Sequence, residues 1–127
     1  MRYVVFTASK TGATVPNTGA FEKAPELNEL QALVGGYIEQ IGPTRSVVKG
    51  KAIQILGNED AVSLGLAPTL AYPAVMTVGG FLLGPIVVLG LTAGGEVRDL
   101  TDKELDAITA PGSPPGTFAF FAANPAP

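Results

Sequence analysis

Residues 79–95 read GGFLLGPIVVLGLTAGG, and they lie inside a run without charge from Ala61 to Gly95. A run of that length is enough to cross a bilayer, which takes ~20 apolar residues as a helix. Its punctuation argues otherwise. Pro68, Pro73 and Pro85 interrupt it, together with Gly79, Gly80, Gly84, Gly90, Gly94 and Gly95. Each glycine costs a helix interior about 1 kcal/mol and each proline about 3 kcal/mol. The flanks are Glu59–Asp60 and Glu96, with no Lys or Arg to orient an insertion. The dense part, Phe81 to Leu91, is rich in β-branched residues and bounded by glycine pairs. That pattern predicts a central strand buried on both faces, bent at Gly84–Pro85.

Working outward, MRYVVFTASK at the start has only Val4 to Phe6 as an apolar core, too short for a signal-peptide h-region. It reads as a first strand, Arg2–Ala8. Ser9 to Ala24 is polar and reads as a loop or one short edge strand. Pro25 suits the first position of a helix. Leu27, Leu30, Leu33 and Val34 then share one helical face before Gly35–Gly36 stop it. Tyr37 to Ile41 and Ala52 to Leu56 read as strands, Gly57 to Asp60 as a turn, and Ala61 to Leu66 as one helical turn. Gly94–Gly95 predict a hairpin into Glu96–Leu100. Thr101-Asp102-Lys103-Glu104 is a capping box opening a helix to Ile108, with Leu105 and Ile108 inward. The order predicts a small single-domain α+β fold, a mostly antiparallel sheet with two short helices, over residues 1–109. Residues 110–127 form a Pro/Gly-rich C-terminal tail.

Composition narrows the chemistry. With 127 residues the chain is one domain by size, and with no Cys it has no thiolate metal site and no disulfide. It has no His either, so the commonest general base is missing. The net charge of −3 argues against a phosphate-tracking surface, hence no nucleic acid, and the punctuation above argues for no membrane. No phosphate-binding glycine loop occurs. Ser9–Lys10 and Ser46 with Lys49 are the nearest approach to a Ser–Lys pair, and both read as solvated loop residues. Asp99, Asp102 and Asp106 can share a helix face as oxygen ligands for a divalent ion. The plainer reading has the first two favouring the positive helix N-terminus. No catalytic residue, metal or cofactor is expected.

Two groups of residues carry the binding expectation. Arg45, Lys49 and Lys51 place three of eight basic residues in one loop-to-strand segment. They suit a small anionic ligand, or a lysine-protected strand edge. Tyr37 and Glu39 project from the opposite strand face to Ile38. With Ile38 facing the core, they line a surface near Asn58–Glu59–Asp60, or simply decorate the outer sheet face. A third group is an interface expectation. Phe118, Phe120 and Phe121 lie in a tail without charge, each worth ~1.5–3 kcal/mol if buried. They predict an added strand, paired with this chain or with a neighbour, hence a homo-oligomer or a larger protein assembly.

Three segments, LQALVGGYIEQI (30–41), AIQILGNEDAVSLGLAPTL (52–70) and GPIVVLGLTAGGEVRDLTDKELDAI (84–108), together resemble, over Leu27 to Ile108, a family called domain of unknown function 3846. VGGYIE, Val34 to Glu39, is the most specific piece. The chain departs from the pattern at LAPTL, where the family often has Asn-Arg after the proline. The resemblance implies a fold and a bacteriophage or plasmid setting, not a reaction. The resulting expectation is a non-enzymatic accessory protein of a bacteriophage or mobile element, acting in the host cytoplasm. It would bind a host protein or a small anionic ligand. The alternative is a virion structural subunit, capsid-associated or decorating.

Overall fold

In the computed structural model, residues 1–9, 12, 14–41, 46–48, 51–71, 81–109 and 121–122 are described. They form ten strands and two helices. In chain order these are β1 (Arg2–Ala8), β2 (Thr14–Ala20), α1 (Leu27–Val34), β3 (Ile38–Gln40), β4 (Ser46–Val48) and β5 (Lys51–Asn58). Then come β6 (Pro68–Ala71), β7 (Phe81–Leu83), β8 (Ile86–Leu91), β9 (Val97–Arg98), α2 (Asp102–Thr109) and β10 (Phe121–Ala122). The chain is thus a small α+β protein built on antiparallel pairing. The main sheet runs β2-β1-β8-β5-β3, with β4 also on β5 and β9 also on β8, and a second sheet runs β10-β6-β7.

β8 is the centre of the molecule, and each of its residues is buried. Ile86 and Val88 point to one face, where they meet Val4, Phe6, Ile53, Ile55, Leu82, Leu100 and Ile108. Val87 and Leu89 point to the other, where they meet Val34 and Leu56 under Leu30, Leu33 and Ile38. Helix α1 therefore covers one face of the sheet, and α2 with the second sheet covers the other. This is why the stretch carries apolar residues at consecutive positions rather than alternating ones.

The stretch Phe81 to Leu91 is not one bent strand. It splits at Gly84–Pro85, and β7 leaves for the second sheet. Gly84 has φ +79°, a left-handed conformation that breaks the extended path. Pro85 brings no N–H to continue the ladder. Thr69, fully buried on β6, closes the corner by donating its hydroxyl to the Gly84 carbonyl at 2.7 Å. Two further readings shift. The polar segment after β1 contains a full seven-residue edge strand, β2. The cap of α1 is Glu26, so Pro25 precedes the helix rather than opening it.

The β1–β2 ladder also explains how a long polar edge is kept from pairing further. The Phe21 N–H donates to the Met1 carbonyl, so that pair is hydrogen-bonded; by alternation Phe6 opposite Pro16 is a non-bonded pair. The proline nitrogen therefore faces the free edge and removes one outward donor from it. Among the described residues, no helix is long and apolar enough to cross a membrane.

Candidate functional site

The two ends of the main sheet are built differently. At one end, the hairpin β8–β9 delivers Arg98 to the start of α2. Thr92 and Glu96 close the turn, and Gly95 takes φ +86°. The Arg98 guanidinium grips Glu104 through two bonds, Nη1 to Oε1 at 2.7 Å and Nη2 to Oε2 at 2.8 Å. Its remaining donors go to carbonyls: Nε to Leu91 at 2.8 Å, Nη1 to Asp99 at 3.1 Å and Nη2 to Ala52 at 3.0 Å. Each of the five guanidinium N–H groups has a partner. Glu104 is buried to 1% exposure and also accepts from the Thr101 N–H at 3.0 Å, completing the capping box with the Glu104 N–H on Thr101 Oγ1 at 3.2 Å. Burial pushes its carboxyl up, but the bonds from Arg98 and Thr101 outweigh that and hold it below the ordinary range.

Beside this pair, Arg2 holds two of the three aspartates considered for a divalent ion. It donates to Asp99 from Nη2 at 2.9 Å and to Asp102 from Nη1 at 2.6 Å. Its side-chain and backbone bonds lower the Asp99 carboxyl to about 2. One guanidinium thus pairs with both carboxylates. Among the described residues, no group of three or more metal-type ligands is disposed to hold an ion.

The opposite end joins α1, β3 and β5. Gly35, φ +79°, ends α1 in the left-handed conformation, its N–H donating to the Gln31 carbonyl at 2.9 Å, as does the Gly36 N–H at 3.1 Å. Gly36 passes so close to Asn58 that a Cβ there would lie 3.0 Å from Nδ2. Asn58, itself buried to 3% exposure, uses that amide to donate to the Val34 carbonyl at 3.0 Å. Its Oδ1 accepts from the Asp60 N–H at 2.8 Å, and the Glu59 N–H donates to the Tyr37 carbonyl at 2.9 Å. VGGYIE and the NED turn, separate in sequence, are therefore one locked corner. A single helical turn follows it, with the Leu64 N–H on the Asp60 carbonyl at 2.9 Å and Gly65 at φ +64°.

The corner carries three of the four exposed large apolar side chains among the described residues, Leu27 on α1 being the fourth. Tyr37 is 68% exposed, Val62 65% and Leu64 60%. Ile38 packs with the α1-side cluster, so Glu39 projects from the other face, beside Gly57 in the ladder. Partial burial raises the Glu39 carboxyl above its ordinary value, and the charges of Glu59 and Asp60 raise it further. Among the described residues, none of these three acids is in an ion pair.

The candidate residues that lie among the described ones do not gather in one place. Tyr37 and Glu39 do meet the Asn58–Asp60 turn as expected. Lys51 is exposed at the opposite end of β5, six residues from Gly57 and so about 20 Å from Glu39. Arg45 and Lys49 lie outside the described residues, as does Lys10. Phe118 and Phe120 also lie outside them, whereas Phe121 sits on β10 and pairs with Ala71 of the same chain. The Arg98–Glu104 pair was legible only as a capping box; the hairpin arginine just ahead of that box is the signal for it.

The fold and this corner define a small antiparallel α+β domain whose distinctive surface is a side-chain face on a rigid corner. The profile of domain of unknown function DUF3846 matches residues 3–111, and the chain belongs to that family. No match was found among curated proteins or among solved structures.

Proposed function

We propose that the protein is a non-enzymatic accessory protein that binds another protein through the corner made by Tyr37, Glu39 and residues 59–64. The observation that carries the reading is the exposure of Tyr37, Val62 and Leu64 on backbone that Gly36 and Asn58 hold rigid. Exposed apolar side chains with a polar rim are how recognition surfaces are built, and a preorganised backbone lowers the entropy cost of binding. The two segments meeting there are among those that carry the family resemblance, which supports a shared use of the corner. In a mobile-element setting the partner is a host protein in the host cytoplasm. The small-anion reading rests on Arg45, Lys49 and Lys51, of which Lys51 lies at the far end of β5 and the other two lie outside the described residues.

The test is affinity capture with the wild type and with Tyr37→Ala/Val62→Ser/Leu64→Ser in parallel. The reading expects a partner held by the wild type, lost by the variant at unchanged melting temperature, and rebinding saturably when purified. Equal capture by both chains would remove the corner from the function. A capsid-associated subunit would use the same exposed side chains for assembly. Quantitative mass spectrometry of purified particles separates the two, since a structural subunit is present in many copies and a cytoplasmic effector is not.

A further inference from the structure

We infer that the partner docked at this corner is a cationic protein segment with apolar anchors, not a second copy of this chain and not an anion. The inference rests on the corner being the binding face, and adds what that face selects. Glu39, Glu59 and Asp60 lie with exposed Tyr37 at one end of β3 and β5, because the ladder sets Glu39 against Gly57 and Ile38 against Asn58, and exposed Val62 and Leu64 follow in the next turn. Partial burial pushes the Glu39 carboxyl up, and the nearby charges of Glu59 and Asp60 add to that.

Elsewhere in the described fold the partnered acids have an arginine: Asp99 and Asp102 have Arg2, and Glu104 has Arg98. At the corner, among the described residues, none of the acidic trio is in an ion pair. A lysine- or arginine-bearing segment relieves that repulsion on arrival, and its apolar residues cover the exposed side chains. An anion would add to the repulsion. A second copy brings the same acidic corner and a net charge of −3, so self-docking is opposed as well.

The experiment is selection from a random dodecapeptide display library on the immobilised full chain, with counter-selection on Tyr37→Ala/Val62→Ser/Leu64→Ser. The expected result is enrichment of peptides that combine Lys or Arg with aromatic or aliphatic residues. Their affinity falls as salt rises from about 0.05 M to about 0.5 M, and falls by about tenfold or more in Glu59→Lys/Asp60→Lys. Acidic or uncharged winners that still need the apolar side chains would overturn the cationic assignment while leaving the binding face standing. So would a salt-strengthened dimer that buries the corner. No enrichment over the counter-selecting variant would count against the face itself, and the functional reading with it.

Discussion

Two ends of one sheet treat charge in opposite ways. Where β9 meets α2, a buried glutamate is answered by an arginine whose five donors are all satisfied, and a second arginine answers two surface aspartates. Where β3 meets β5, three acids gather, none of them in an ion pair among the described residues, and exposed apolar side chains lie on the same corner. The first arrangement holds the fold together. The second costs the isolated fold something, as the raised Glu39 carboxyl shows, and is the kind of expense that an interface recovers.

The sharpest way to break the contrast is at the answered end. Arg98→Ala strands the buried Glu104 carboxylate and is expected to cost about 3–5 kcal/mol in denaturant unfolding, the range for breaking a buried pair. Binding at the other end should be unaffected wherever the variant remains folded. Acid should do the same reversibly. Glu104 is held below its unfolded value, so its contribution is present above the ordinary carboxylate range and is lost as pH falls through the depressed folded value. Melting temperature against pH should therefore drop on the acid side in the wild type, and less steeply in Glu104→Gln, where the loss from the lowered Asp99 carboxyl remains.

Asn58→Ala comes next. It removes the bonds to Val34 and Asp60 and should cost about 1–3 kcal/mol, because the α1 carbonyl loses its buried partner. It should also weaken partner capture, since the corner loses its lock. The smallest effect has the opposite sign. Glu39 has a raised folded value, so its charged form opposes folding, and that cost grows as pH rises through the window. Glu39→Gln should slightly raise the melting temperature at neutral pH and leave it unchanged in acid, where the wild-type carboxyl is already protonated.

Much of this architecture was legible in the residues. The consecutive apolar run Ile86 to Leu91 announced a strand covered on both faces, and Gly35 and the Thr101–Glu104 box marked the helix ends. The division of Phe81–Leu91 between two sheets was not legible, because Gly84–Pro85 fits a bend in one strand as well as a break between two. β6 escaped notice because its four residues start on a proline and carry no alternation. At the candidate site, the alternation of Tyr37 and Glu39 around Ile38 was readable from strand period. Its separation from Lys51 was not, because composition records that basic residues cluster in sequence but not which end of a strand they occupy. Phe121 pairs with Ala71, so the strand added by the tail is at least in part this chain's own; neighbour pairing at Phe118 and Phe120 falls outside the described residues.

The central claim is that the exposed side chains of the β3–β5 corner, Tyr37, Val62 and Leu64, serve recognition and not folding. Its most direct measurement pairs the unfolding free energy with partner affinity for Tyr37→Ala/Val62→Ser/Leu64→Ser. Exposed substitutions away from structural features usually stay within about 0.5 kcal/mol each, so the variant should unfold nearly as the wild type does while losing its partner. Retained affinity, or a loss of stability on the scale expected for Arg98→Ala, would contradict the account.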